Sequence, residues 1–405
     1  MTHTLISLLG RGRDNPTTGY RAATYRFADG TTDTTPFFGL ALAQHLKPDA
    51  LVLLGTAGSM WDVLVENLPG IGEADEALRL ELMEVVAEGC VTTELLARAQ
   101  PLVEQSMGLR VRLELIPFGR DEAEQRQILE CIEQAAGRGT VSLDVTHGFR
   151  HLPMLSLVSA FVLERLGRRV IGLYYGAFEM KEGDQVPVLE LDGLLAIQRW
   201  VEALAVFDAS GDYGVFAPLL AADGVAADKT RCLEEAAFFE RASNVADAAR
   251  RLGTFLPVLE APLAGASGLF QKRLRERLAW AREPDLAAQQ RKLAHQYLNR
   301  GDFVRAAIFG YESLLCRLCI EQGRDPLDYT AREQLAQAFG AELQAGEHAD
   351  WKREAFLTLK NLRNALAHGT LPTGKKPWSQ KLRGLLRDRD ELAAEIQRCL
   401  QRLDA

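Results

Sequence analysis

Val141-Ser142-Leu143-Asp144-Val145 runs into Thr146-His147-Gly148-Phe149-Arg150 and then His151-Leu152-Pro153-Met154-Leu155. The first five residues, rich in branched aliphatics, form a short strand. From Leu152 to Leu166 the apolar residues recur at helical spacing. Between the two lie a short hydroxyl side chain, a histidine and a glycine, which suit a tight turn. Strand, turn and helix in that order are the repeating unit of an α/β fold.

The unit recurs on both sides. Further strands are expected at Thr4–Leu9, Ala50–Leu54, Val111–Ile116, Val170–Tyr175 and Val186–Leu191, with helices near Pro36–His45, Ala74–Gln105 and Asp121–Ala136. Such alternation predicts a mainly parallel sheet with helices on both faces. Most of these strands are continuous apolar runs, as expected of strands covered on both sides. Val111, Leu113 and Leu115 alternate with Arg110, Arg112 and Glu114, which places that strand nearer an edge. Past about Leu194 the strand signals stop, and the pattern is helical to Ala405. The chain therefore divides into an α/β domain (1–193), a helical connecting region (194–289) and an all-α domain (290–405).

Composition agrees with two or more folded domains. The 405 residues exceed one ordinary core, and 47% hydrophobic with 25% charged residues is a globular profile. No apolar run is long enough to span a bilayer, and Met1-Thr2-His3-Thr4-Leu5 lacks the basic start of a secretory signal. The six cysteines are scattered through apolar stretches, which suits free thiols in the cytoplasm. Cys316-Arg317-Leu318-Cys319 has no second pair nearby, so no metal site is expected. A net charge of −8 argues against a chain coated in nucleic acid. Locally, Lys352 to Arg389 holds ten Lys/Arg against two acids, either a solvated helical face or a docking surface.

Ligands of open α/β sheets bind beyond the carboxyl ends of the strands. Those ends here are Gly10-Arg11-Gly12-Arg13, Gly55-Thr56-Ala57-Gly58-Ser59-Met60-Trp61, and Asp144 to Arg150. Their glycines let backbone N–H groups approach a phosphate, and Thr56, Ser59 and Thr146 offer hydroxyls. Arg11, Arg13 or Arg150 supplies charge, and Tyr20 or Phe149 a surface for stacking a base. There is no P-loop, and Gly10-x-Gly12 lacks the third glycine of a dinucleotide loop.

Asp144-x-Thr146-His147-Gly148, with Phe149, Arg150 and Pro153, resembles the DxTHG signature of CRISPR-associated proteins. Gly55-Thr56-x-x-Ser59-Met60-Trp61 and the Leu9-Gly10…Tyr20…Tyr25 pattern are similar to the same family. The resemblance implies a Rossmann-like sensor of the CARF type, which dimerises and binds cyclic oligoadenylate across its two-fold axis, most often the four-membered ring. It implies a ligand site of Gly10, Arg11, Gly12, Tyr20, Gly55, Thr56, Ser59, Met60, Asp144, Thr146, His147, Gly148, Phe149 and Arg150. Asp144 and His147 have two readings: acid–base chemistry on the bound ring, or a brace for the turn and pocket.

In the helical half, Ala355, Leu359, Leu362 and Leu366 form one apolar stripe. Arg363 flanks it, while Asn361, Asn364 and His368 point away from it. Gly369 and Pro372 end the helix directly after His368, which places the imidazole at the helix terminus. Such a histidine can protonate a leaving 5′-oxygen while Arg363 stabilises phosphate charge and Asn364 positions the helix or substrate. Attack by the 2′-hydroxyl of RNA then needs no metal and leaves 2′,3′-cyclic phosphate ends. Arg363-Asn364-x-x-x-His368 resembles the RxxxxH motif of HEPN ribonucleases, in which helices of two subunits build one site. By that resemblance the chain is a homodimeric or higher, even-numbered endoribonuclease that cuts single-stranded RNA, with Arg363, Asn364 and His368 catalytic. Cyclic oligoadenylate is its activator, and catalysis takes no cofactor. Glu312 stands as an internal partner or as a structural residue. Two alternatives are a non-catalytic sensor that binds a protein or nucleic-acid partner, and an α/β half that itself degrades the cyclic nucleotide.

Overall fold

Among the described residues, ten strands account for all six expected runs and four more: β1 (His3–Leu9), β2 (Asp14–Asn15), β3 (Gly19–Tyr20), β4 (Ala23–Arg26), β5 (Thr32–Thr35), β6 (Ala50–Gly55), β7 (Arg110–Leu115), β8 (Thr140–Asp144), β9 (Arg169–Gly176) and β10 (Gln185–Glu190). The computed structural model describes residues 2–11, 14–15, 19–20, 22–66, 76–346, 348–369, 371–375 and 377–404. Eight strands form one sheet in the order β5-β4-β10-β9-β8-β1-β6-β7. From β9 to β7 every pairing is parallel, and β10 joins β9 antiparallel, so the sheet is mixed but mostly parallel. β7 is an edge strand, in keeping with its alternating arginines and glutamate.

β1 lies inside the sheet, and its two faces feed two separate cores. Leu5 and Leu9 pack with Leu42, Trp61, Leu96 and Val103, whereas Ile6 and Leu8 pack with Ile128, Ile132, Ala160 and Leu163. The strand period of two explains why neighbours part company in this way. Helices Phe38–Leu46, Trp61–Glu66, Glu76–Glu88 and Thr93–Met107 cover the first face; Glu122–Ala136 and His151–Arg165 cover the second.

Two features depart from the sequence reading. The single helix expected over Ala74–Gln105 is two helices. Gly89 turns left-handed at φ +69, and Thr92 starts the second helix by accepting a hydrogen bond from the Leu95 N–H. The β4–β5 hairpin lies outside the expected strands, because Thr32-Asp33-Thr34-Thr35 is polar and short. Its turn is closed by the Phe27 N–H on the Thr31 carbonyl, 2.9 Å, around Gly30 at φ +85.

The chain folds as two compact units, Met1–Gln198 and Arg199–Ala405. Among its described residues the regular elements of the second are all helices. In it, helices Phe303–Glu321, Asp350–His368 and Arg389–Asp404 meet around Gly310, where an added Cβ would lie 2.5 Å from Leu400 and 3.4 Å from Leu359. Among the described residues no helix is long and apolar enough to cross a membrane.

The turn after β1 depends on one close approach. A Cβ on Gly10 would lie 2.6 Å from the backbone nitrogen of Gly148, which no side-chain rotation relieves. Gly10→Ala is expected to destabilise the α/β unit by about 1–3 kcal/mol, read as a lower denaturation midpoint. An unchanged midpoint would show that the two turns can separate without cost.

Candidate functional site

The carboxyl ends of β1, β6 and β8 converge, the first two through hydrogen bonds between their turns and the third by the close approach of Gly148 to Gly10. After β1, the Leu9 carbonyl accepts from Ser59 Oγ at 2.6 Å and the Gly10 carbonyl from the Met60 N–H at 2.9 Å. After β6, the Thr56 N–H donates to Ser59 Oγ (2.9 Å) and the Trp61 indole N–H to the Thr56 carbonyl (2.9 Å). Thr56, Ser59 and Met60 are consequently buried. Gly55 lies under the Trp61 ring, where a Cβ would stand 2.5 Å from the indole. These residues support the turns from inside.

Asp144 closes β8 and is buried. One carboxylate oxygen accepts from Ser7 Oγ at 2.5 Å, the other from the Thr146 N–H at 2.8 Å. Burial outweighs these bonds and pushes its pKa up to about 6. Thr146 Oγ1 in turn accepts from the Gly176 N–H, 2.8 Å, at the end of β9. The ring of His147 lies 5.6 Å from that of Phe37, centroid to centroid, and its Nε2 accepts from the Phe38 N–H at 3.2 Å. That bond requires an unprotonated Nε2, and the protein around the ring pushes its pKa down to about 4.

Beyond this brace the surface is exposed and different in character. Arg11, Gly148, Phe149 and Arg150 are all exposed, with Gly148 at φ +102. Phe149 packs at 5.9 Å from Phe118, and the Arg120 guanidinium lies 4.6 Å from the Phe118 centroid. His151 Nε2 bonds the Phe118 carbonyl at 2.7 Å. Phe118 and Arg120 are absent from the sequence-based set although they follow the end of β7, the position that singles out the other turns. Gly12 and the Tyr20 side chain lie outside the described residues, as does Arg13.

In the helical unit, Asp350–His368 ends where Gly369 adopts φ +62. Ala355, Phe356, Leu359 and Leu362 are buried; Leu366 is half-buried, and His368 is exposed. Arg363 is half-buried and held on three sides. It donates to Asn364 Oδ1 at 3.0 Å and to Glu312 at 3.2 Å, and its guanidinium lies 5.5 Å from the Tyr311 centroid. Glu312, whose side chain is 17% exposed, also pairs with Arg332. These residues border an open cleft of about 900 Å³, floored by Ile308, Tyr311 and Leu315. Sequence reasoning raises Glu312 but not Arg332.

Much of the basic stretch is engaged locally. Lys381 pairs with Glu354 at 2.7 Å and with buried Glu395 at 2.8 Å, and Arg383 donates to the carbonyls of Pro372 and Gly374. Cys316 and Cys319 are buried free thiols. Among the described residues no group of three His, Cys, Asp or Glu is placed to hold a metal ion.

Comparison with known proteins bears on the first unit. Residues 4–178 match the family model described as the CARF domain of the CRISPR system endoribonuclease Csx1. CRISPR-associated protein MJ1674 of Methanocaldococcus jannaschii is 26% identical over 244 residues, 54% of this chain. The chain spans only 38% of that relative's length. Among solved structures, Enterococcus italicus Csm6 bound to cyclic hexa-2'-fluoro-hexa-dAMP aligns over 100% of this chain and 94% of that chain, at 12% identity and a TM-score of 0.41.

Asp144 and His147 give a signed pH dependence. Asp144 titrates near 6 when folded against an ordinary 3.8, so the folded chain binds more protons between these values. Its contribution to stability is present below the unfolded value and is lost as pH rises to about 6. His147 acts oppositely: its contribution is present above 6.5 and is lost as pH falls towards about 4. Raising pH from about 4 to 7 should therefore destabilise the wild type relative to Asp144→Asn by up to about 3 kcal/mol in denaturant titrations. A pH-independent difference would show that Asp144 ionises like a solvated carboxylate.

Proposed function

From the premise that the N-terminal half of the chain is a CARF domain of a CRISPR-associated protein, we propose that this is a cyclic-oligoadenylate-activated endoribonuclease of antiviral defence. The observation that carries the reading is the end of helix Asp350–His368. An exposed histidine terminates it, five residues after an arginine that a half-buried glutamate orients towards an open cleft.

The α/β unit supplies the sensor. Its brace of buried Asp144 and Ser7 with half-buried Thr146 and His147 holds a surface on which Phe149 can stack with an adenine and Arg11 and Arg150 can meet phosphates. Both Asp144 oxygens and His147 Nε2 are engaged within the protein, which favours a holding role over cutting the ring. A second copy, related by a two-fold axis, would offer a ring-shaped nucleotide the same contacts from each side, and the four-membered ring suits that symmetry. To move the population from 1:99 to 99:1, the ligand must prefer the active arrangement by about 5.5 kcal/mol.

The helical unit, residues 290–405 in particular, supplies the nuclease. The 2′-oxygen of single-stranded RNA attacks the adjacent phosphorus, a P–O2′ bond forms and the P–O5′ bond breaks. His368 of the facing copy gives a proton to the leaving 5′-oxygen, and the 2′-hydroxyl proton passes to water. Arg363 faces the charge that builds on the non-bridging oxygens, and Asn364 fixes the guanidinium from its own helix. The products carry 2′,3′-cyclic phosphate and 5′-hydroxyl ends.

RNA should be cut in EDTA once the matching member of a panel of cyclic adenylates is added, with the four-membered ring most effective. His368→Ala should abolish cutting and leave ligand binding intact; normal cutting by that variant would overturn the site assignment. Glu312→Ala frees Arg363 from its anchor and should lower kcat by about 10²-fold without altering ligand affinity. Full activity in that variant would show that Arg363 needs no internal orientation.

A further inference from the structure

We infer that Tyr329 is a base-stacking subsite of the cleft beside Arg363, and that with Lys360 it grips a nucleotide of single-stranded RNA next to the scissile phosphate. This rests on the nuclease reading above and adds to it a binding contact outside the Arg363, Asn364 and His368 set.

Three helices supply the floor and the charged and aromatic walls of the cleft, and Ala242, Ser243 and Gln290 complete its lining. Phe303–Glu321 gives the floor, Asp350–His368 gives Lys360 and Arg363, and the facing helix Tyr329–Ala345 gives Tyr329 and Arg332. Tyr329 is 77% exposed, the most exposed of the large apolar and aromatic side chains in the described residues. An aromatic ring left so far in water at a cleft wall gains nothing for folding, and its face remains available. Its backbone is nonetheless fixed. Tyr329 is the first residue of its helix, and the Asp328 side chain caps that helix through the N–H groups of Thr330 and Ala331. A stacking platform on a capped helix start loses little freedom when a base arrives.

The spacing ties this ring to the reaction centre. Tyr329 and Arg332 are three residues apart on one helix, as are Lys360 and Arg363 on the other, so each pair shares a face. Glu312 joins the two inner members by pairing with both Arg332 and Arg363. Lys360 and Tyr329 therefore stand one helical turn from the two guanidinium groups. Lys360 is exposed, its ammonium 5.9 Å from the Phe356 ring, and can meet a backbone phosphate. The wall also carries acidic Glu333. Stacking tolerates that charge, whereas a phosphate would avoid it, so the base is assigned to the Tyr329 side and the backbone to the Lys360 side.

The test uses the full-length protein with its cyclic adenylate activator and a fully 2′-O-methylated RNA oligonucleotide, which can bind but not be cut. Tyr329→Ala should weaken binding about tenfold, and Tyr329→Phe should bind as the wild type does. With cleavable RNA, Tyr329→Ala should raise KM by a similar factor and leave kcat within about twofold. An oligonucleotide with one abasic site moved stepwise past the cut should lose affinity at one position for the wild type and at none for Tyr329→Ala. Wild-type binding and cutting with an unaffected Tyr329→Ala would overturn the inference alone. Absence of RNA binding and cutting by the wild type would instead remove the nuclease reading on which it rests.

Discussion

A single carboxylate organises the carboxyl-end face of the sheet. Asp144 ends β8, accepts from Ser7 in β1, and holds the Thr146 N–H, while Thr146 reaches the Gly176 N–H at the end of β9. Three strand ends are thereby fixed relative to one another through one buried group. An ionised carboxylate without such donors would cost several kcal/mol to bury, and even with them its pKa rises. The fold tolerates that cost because the turn after β8 has to stay in one shape. Gly10 and Gly148 approach each other more closely than any Cβ would permit, so the turns after β1 and β8 are packed backbone against backbone.

The helical unit uses a second carboxylate in a similar way. Glu312 is largely enclosed and divides its two oxygens between Arg332 and Arg363. Two guanidinium groups repel each other, and the glutamate between them makes their proximity stable. In both units, then, an acid takes no direct part in the proposed chemistry and instead fixes the groups that do. Thr56, Ser59 and Met60 belong to the same class, since their hydrogen bonds build the turn that Gly10 leans on.

How much of this is legible in the sequence depends on the range of the interaction. The strands β1, β6, β8 and β9 are readable because two-sided burial demands long aliphatic runs, and β7 because an edge allows charge on alternate residues. The β4–β5 hairpin is not: its stability comes from pairing β4 onto β10, some 160 residues later, and Thr-rich segments carry no apolar signal. Asp144, Thr146 and His147 are legible as a group, but whether the hydroxyls face a ligand or the protein is not. The helix end at His368 is readable from Gly369. The anchor of Arg363 is not, since Glu312 lies 51 residues earlier in sequence and Arg332 meets it from a third helix.

Helical geometry then bears on how the proposed nuclease site must be completed. Arg363 and His368 are five residues apart, which is about 140° around the helix and about 7.5 Å along its axis. Arg363 turns into the cleft of its own unit, while His368 stands at the exposed terminus on another face. For one helix to place both groups on a single phosphate, Arg363 would have to leave Glu312 and lose that charge-assisted contact. A second helix can supply the histidine without that loss, because its exposed terminus is free to approach the cleft from outside. On the proposed reading, therefore, the internal anchoring of Arg363 is what makes the isolated subunit incomplete. A ligand that rearranges two copies needs no further device to control cutting.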